Sequence, residues 1–175
     1  MIAAVQEILN DLGVDGLTVD EVARRSGVAK STIYRHFDSV DDLVLSATDE
    51  LIHHIDVPDT GAFDTDLRAV VTNFLEIART QAFRNFFVSM VARARSDADY
   101  ADRVNAMKTE RQSPLRIVVQ RGIARGEVDP DVDIERAVHF VHAPFVAMLV
   151  EDDPMHPRDV EIQLDLIRRG LTPPT

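Results

Sequence analysis

The chain has no cysteine among its 175 residues. That excludes disulfides and thiolate metal sites, and it suits a reducing cytoplasm. No apolar run approaches the ~20 residues that span a bilayer, so no membrane partner is expected. Basic residues are scarce: 19 Lys and Arg stand against 30 Asp and Glu, a formal net charge of −11. The opening MIAAVQEILNDLG carries Glu7 and Asp11 where a secretory signal would be basic, so secretion is not expected. Repeats, low-complexity tracts and alternating strand patterns are lacking as well, which leaves helical periodicity as the main signal. At 45% hydrophobic and 28% charged residues, the composition is that of a globular protein. The length suggests one compact unit or a small module joined to a larger one.

An all-α fold of about nine helices is expected. Ile2, Val5, Leu9 and Leu12 form the stripe of a first helix, which should stop near Gly13. Thr18 and Glu21 form a capping box for a second, with Leu17 and Val22 as its hydrophobic staple, and Gly27 marks its end. A short third helix covers about Lys30 to His36. Ser39 and Asp42 open a connecting helix through Leu43, Ala47 and Leu51 toward His54. DVPDTGAF at 56–63 reads as a loop and is the best module boundary. Further stripes follow at Leu67–Val71–Phe74–Ala78 and Phe83–Phe87–Met90–Ala94. Pro114 should kink or divide the segment from about Asp97 to Arg125. Ile134 to Val150 is apolar nearly all round, and a last helix carries Val160, Leu164, Ile167 and Leu171.

The scarce positive charge is unevenly placed. From Thr18 to Phe37, Arg24, Arg25, Lys30 and Arg35 face only Asp20 and Glu21, a balance of +2, while the remainder carries −13. Screening beyond ~8 Å lets such a patch meet phosphates despite an acidic body. Its spacing fits a helix-turn-helix: small Ala23, Gly27 at the turn, Val28 and Ile33 inward, and Lys30, Ser31, Thr32, Arg35 and His36 outward.

LTVDEVARRSGVAKSTIYRHFDSVDDL resembles the DNA-binding region of the tetracycline-repressor (TetR) family of bacterial transcription regulators. The order T-x-x-E-x-A-x-x-x-G-V-x-x-x-x-x-Y-x-x-F carries the resemblance over residues 1–54. Beyond, only the helix count, the RG-x-x-x-G-E-V-x-P-D-x-D loop and the closing pair of helices match. The resemblance implies a DNA-binding domain at 1–54 and a helical ligand-binding and dimerisation domain at 55–175. It makes Thr18 a phosphate contact, places Lys30, Ser31 and Thr32 at base edges, assigns Tyr34 and His36 to phosphates, and leaves Arg35 to either. Three departures stand out: Ala29 where a capping serine is common, Val40 where a lysine commonly meets phosphate, and no basic arm before the first stripe. They predict a shallow salt dependence, roughly one unit of slope lost per missing phosphate contact.

In the second domain Phe83, Phe86, Phe87, Met90, Tyr100 and Met107 are candidates to line an effector cavity, with ordinary core packing as the alternative. Arg111 falls on an apolar stripe, where it can recognise an anionic effector, snorkel, or pair internally. His139 and His142 lie three apart without a third ligand at a matching interval, so they serve better as polar groups of that cavity than as metal ligands. Val138, Val141, Phe145 and Met148 with Val160, Leu164 and Ile167 are the candidate dimer interface that the resemblance implies. As stripes they equally suit an intramolecular core.

The expectation is therefore a homodimeric, cytoplasmic regulator, a repressor released from double-stranded operator DNA by a small-molecule effector. No cofactor is implied. Catalysis has no support, since no nucleophile–histidine motif or phosphate-binding glycine loop occurs. The rival is an architectural or protein-interaction factor on DNA, whose second domain binds a protein instead.

Overall fold

A computed structural model describes residues 1–13, 16–43, 45–46, 57–151 and 156–173, with Ile2 described by its backbone only. All regular structure among these residues is helical. The full helices are α1 (Ile2–Leu12), α2 (Val19–Ser26), α3 (Lys30–His36), α4 (Phe63–Ala78), α5 (Gln81–Ala94), α6 (Ala98–Arg111), α7 (Ser113–Ala124), α8 (Ile134–Val150) and α9 (Pro157–Leu171). Residues 40–43 and 45–46 begin the connecting helix. Its expected continuation through Ala47, Leu51 and His54 lies outside the described residues.

The expected boundaries form for the expected reasons. The Thr18 hydroxyl accepts from the Glu21 N–H at 3.2 Å, and the Ser39 hydroxyl accepts from Asp42 N–H at 3.1 Å. Pro114 divides the segment, sitting in the first turn of α7 where its missing N–H costs nothing. One expectation is only half met. The Glu21 carboxylate, which a capping box would turn back on its own helix start, is occupied by Arg24 and Arg25.

The chain forms two compact units. The first comprises Met1–His54 and Thr80–Met107, the second Ile55–Arg79 and Lys108–Thr175. The boundary expected at 54/55 is thus one of several, because Thr80–Met107 returns to the first unit. Its core shows why: Val5, Ile8, Leu9, Leu17, Val22, Ile33 and Leu43 are buried together with Ala82, Phe86, Met90, Tyr100 and Val104. A module of some fifty residues buries a smaller share of its surface than a larger domain, and α5, packed on α1, adds apolar surface to its core.

Asp41 and Asp42, at the start of the connecting helix, hold Arg93 (2.7 Å) and Arg103 respectively. Arg93 also lies 5.1 Å from the centre of the Tyr100 ring, a cation–π contact.

In the second unit α4 packs on α7, α7 on α8, and α8 on α9. The RG-x-x-x-G-E-V loop locks this unit together. Gly126 takes φ 74, and a Cβ on Gly122 would stand 2.6 Å from Val128 Cγ2 and 2.9 Å from the Phe63 ring. Glu127 accepts from the Phe63 N–H at 2.9 Å, and Arg125 reaches the fully buried Asp66 at 3.0 Å. Burial alone would raise the Asp66 pKa. Hydrogen bonds from the Thr60 N–H and hydroxyl, and from Arg125, hold it below the ordinary carboxylate value instead.

Candidate nucleic-acid interface

The interface is built on a turn that only one residue type takes easily. Gly27 stands at φ 71 and its N–H donates to the Ala23 carbonyl at 3.0 Å, closing α2 with a left-handed cap. The Val28 N–H donates to the Ser26 hydroxyl at 3.2 Å, and the extended Ala29 then starts α3 without a side-chain cap, as its sequence implied. Ile33 is buried, while Val28 and Phe37 pack partly buried against the same core. This fixes the rotation of α3. Lys30, Ser31, Tyr34, Arg35 and His36 face solvent, Thr32 is half-buried, and Tyr34 is 60% exposed. Thr18 is also exposed at the start of α2. All seven predicted DNA-binding residues therefore lie on the first unit with accessible side chains.

The electrostatics are more internal than the charge count implied. Glu21 accepts from Arg24 Nε at 2.8 Å and from Arg25 Nε at 2.8 Å, and these two guanidiniums lower its pKa to about 2. Arg25 also reaches Asp11 at 2.6 Å. Lys30 meets Asp20 at 2.7 Å. Among the described residues, Arg35 is the one Lys or Arg of the patch outside an ion pair. Sequence reasoning missed the Lys30–Asp20 and Arg25–Asp11 pairs, because each joins residues on different helices at no helical interval.

Helical segments that cross the backbone and present donors from a second helix suit the major groove of duplex DNA. This is the geometry of a helix-turn-helix DNA-binding protein. Two family profiles match the chain: "Bacterial regulatory proteins, tetR family" over residues 2–47, and "Tetracyclin repressor-like, C-terminal domain" over residues 57–167. The chain belongs to the TetR family. It is 28% identical over 165 residues to the HTH-type transcriptional regulator YdeS of Bacillus subtilis, covering 87% of this chain and 78% of that one. A crystal structure of the TetR family transcription regulator SCO0332 superimposes with a TM-score of 0.81 at 27% identity, covering 98% of this chain and 96% of that one. The regulator FadR from Bacillus subtilis, solved in complex with stearoyl-CoA, shares the fold with a TM-score of 0.78 at 20% identity over 97% of each chain. Regulators of this family are ligand-responsive DNA-binding repressors, and this chain is a ligand-responsive, sequence-specific DNA-binding transcriptional regulator. Nothing favours the architectural alternative.

The candidate effector residues are shared between the two units. Phe86, Met90 and Tyr100 are buried in the first unit's core, and Phe87 and Met107 pack against it. Phe83 is buried too, with its ring centre 6.4 Å from that of Phe86 and 6.1 Å from that of Phe87. All six belong to the first unit, where Phe86, Met90 and Tyr100 pack its core. Arg111, His139 and His142 belong to the second unit. His139 is exposed and Arg111 half-buried. His142 is half-buried with its ring centre 5.8 Å from that of Phe74, and burial, then the charges of Lys108 and His139, lowers its pKa to about 4.

The candidate dimer residues pack mostly inside the chain. Val138, Val141, Phe145, Val160, Leu164 and Ile167 are all buried within a single chain, and Met148 is half-buried. The outward apolar residues of these helices are instead Phe140, Val150, Ile162 and Leu166, each between 46% and 57% exposed.

Proposed function

We propose that the chain acts in the cytoplasm as a homodimer that represses transcription, with an organic anion as the effector that releases it from its operator. The carrying observation is the mounting of α3: a buried Ile33 and Val22 beneath an exposed row of donors from Lys30 to His36. In this reading Lys30, Ser31 and Thr32 face base edges, Thr18, Tyr34 and His36 hold phosphates, and Arg35 serves either. A dimer presents two such helices to half-sites about one turn apart. The exposed face of Phe140, Ile162 and Leu166 supports that pairing, with the Phe140 ring set against Gly170 so that α8 and α9 form one continuous apolar surface.

Lys108, Arg111 and His142 in the second unit support an anionic effector, as does the FadR structure of the same fold solved in complex with stearoyl-CoA. By linkage, an anion that prefers the DNA-free conformation weakens operator binding by its own coupling energy.

The test is fluorescence anisotropy on duplexes from upstream of the gene and its neighbours, with and without fatty acyl-CoA and simpler carboxylates. Wild type should be a dimer that at least one anion releases. Leu166→Glu should sediment as a monomer and bind the duplex at least tenfold more weakly. A Leu166→Glu dimer of unchanged affinity would overturn the interface, and indifference to every anion would overturn the effector class.

A further inference from the structure

Asp20 lies in the first turn of α2 and Lys30 opens α3, yet their side chains meet at 2.7 Å. Both are largely exposed, 72% and 54% respectively. An exposed ion pair of this kind adds little stability. What it does create is an acceptor and a donor side by side, at the end of α3 that the proposed reading turns toward base edges.

A G·C pair offers the complement of that arrangement in the major groove. Guanine O6 accepts and cytosine N4–H donates, and the two atoms lie one hydrogen-bond length apart because they are paired to each other. We propose that Asp20 and Lys30 act as one unit that reads a single G·C pair in each half-site, which makes Asp20 a specificity-determining residue. Lys30 Nζ donates to guanine O6 and N7, while the Asp20 carboxylate accepts from cytosine N4–H. This rests on α3 being the reading helix.

The groove patterns give a ranking. T·A keeps the central acceptor–donor order through thymine O4 and adenine N6, but puts a methyl group where guanine has N7. A·T and C·G reverse the central order, so the ammonium meets an amino group and the carboxylate meets a carbonyl. The expected order is G·C first, T·A second, and the reversed pairs last. The same carboxylate repels phosphate, so the pair adds sequence selectivity without adding the salt-dependent, indiscriminate binding that an unpaired lysine brings.

The test is parallel selection from a duplex pool with randomised positions, using wild type, Asp20→Ala, Lys30→Gln and Tyr34→Ala. It is followed by anisotropy on duplexes differing at the affected position. Wild type should select a motif with a G·C pair that both Asp20→Ala and Lys30→Gln degrade at the same position, losing roughly tenfold of the preference over A·T. Tyr34→Ala should weaken all sequences alike and leave the motif intact. Asp20 is exposed, so its variant should keep the wild-type melting midpoint. A wild-type motif that Asp20→Ala leaves untouched, or alters at a different position from Lys30→Gln, overturns the proposal alone. Uniform tightening on every sequence overturns it too, since Asp20 would then only screen charge. No motif from the wild-type protein would overturn the DNA-reading assignment and this proposal with it.

Discussion

His142 is the residue whose chemistry departs furthest from what its position in the sequence announces. Its folded pKa of about 4 lies below the ordinary 6.5, chiefly through burial. The unfolded chain therefore takes up the proton first as pH falls. The stability that rests on a neutral His142 is complete above about pH 6.5 and is lost as pH falls toward 4, up to about 2 kcal/mol of it by pH 5. Melting midpoints from pH 7.5 to 5 should fall in wild type and fall less in His142→Phe. Equal slopes would contradict that reading. The depressed carboxylates Glu21, Asp66, Glu135 and Asp165 act in a lower window, their contribution being full above about pH 5 and lost progressively as pH falls below it.

At this scale the sequence was readable where a side chain acts on its own backbone. Thr18, Ser39 and Gly27 could be placed because a cap or a left-handed turn depends on neighbours three or four residues away. Asp20 and Asp11 could not be placed, because their partners arrive from other helices.

Among the elements, α5 changes the picture most. Its stripe of Phe83, Phe87, Met90 and Ala94 was legible as a packing face, since apolar spacing reveals that a helix packs. The same spacing is silent about what it packs against. The structure sets α5 on α1, so residues far outside the helix-turn-helix hold the reading head in place. Phe86 is 2% exposed in that core, and truncating it to Ala should cost about 3 kcal/mol or more. Phe86→Ala should therefore lose DNA binding together with the melting transition, as calorimetry and anisotropy on one sample would show. Full DNA binding in Phe86→Ala would mean that α1–α3 stand without α5.

The stripes of α8 and α9 carry the same lesson. Val138, Val141 and Phe145 with Val160, Leu164 and Ile167 turned inward to each other and to α7. The apolar residues these helices leave exposed are Phe140, Ile162 and Leu166, which no periodicity singled out.

For the whole molecule, the question is how a chain of net charge −11 holds a polyanion. The helix-turn-helix presents its exposed donors mainly from α3, with Thr18 beside them, and neutralises most nearby cations internally: Arg24 and Arg25 by Glu21, Arg25 also by Asp11, and Lys30 by Asp20. Such a surface offers little to non-specific DNA. On this reading it gains affinity through hydrogen bonds to bases rather than through net positive charge.

The most direct measurement is anisotropy of the wild-type protein on operator and scrambled duplexes across a salt series, beside Tyr34→Ala and Lys30→Ala. The account predicts tight, sequence-selective binding with a shallow salt slope, weakened at least tenfold in each variant. Equal binding to both duplexes, unchanged by either substitution, would contradict it.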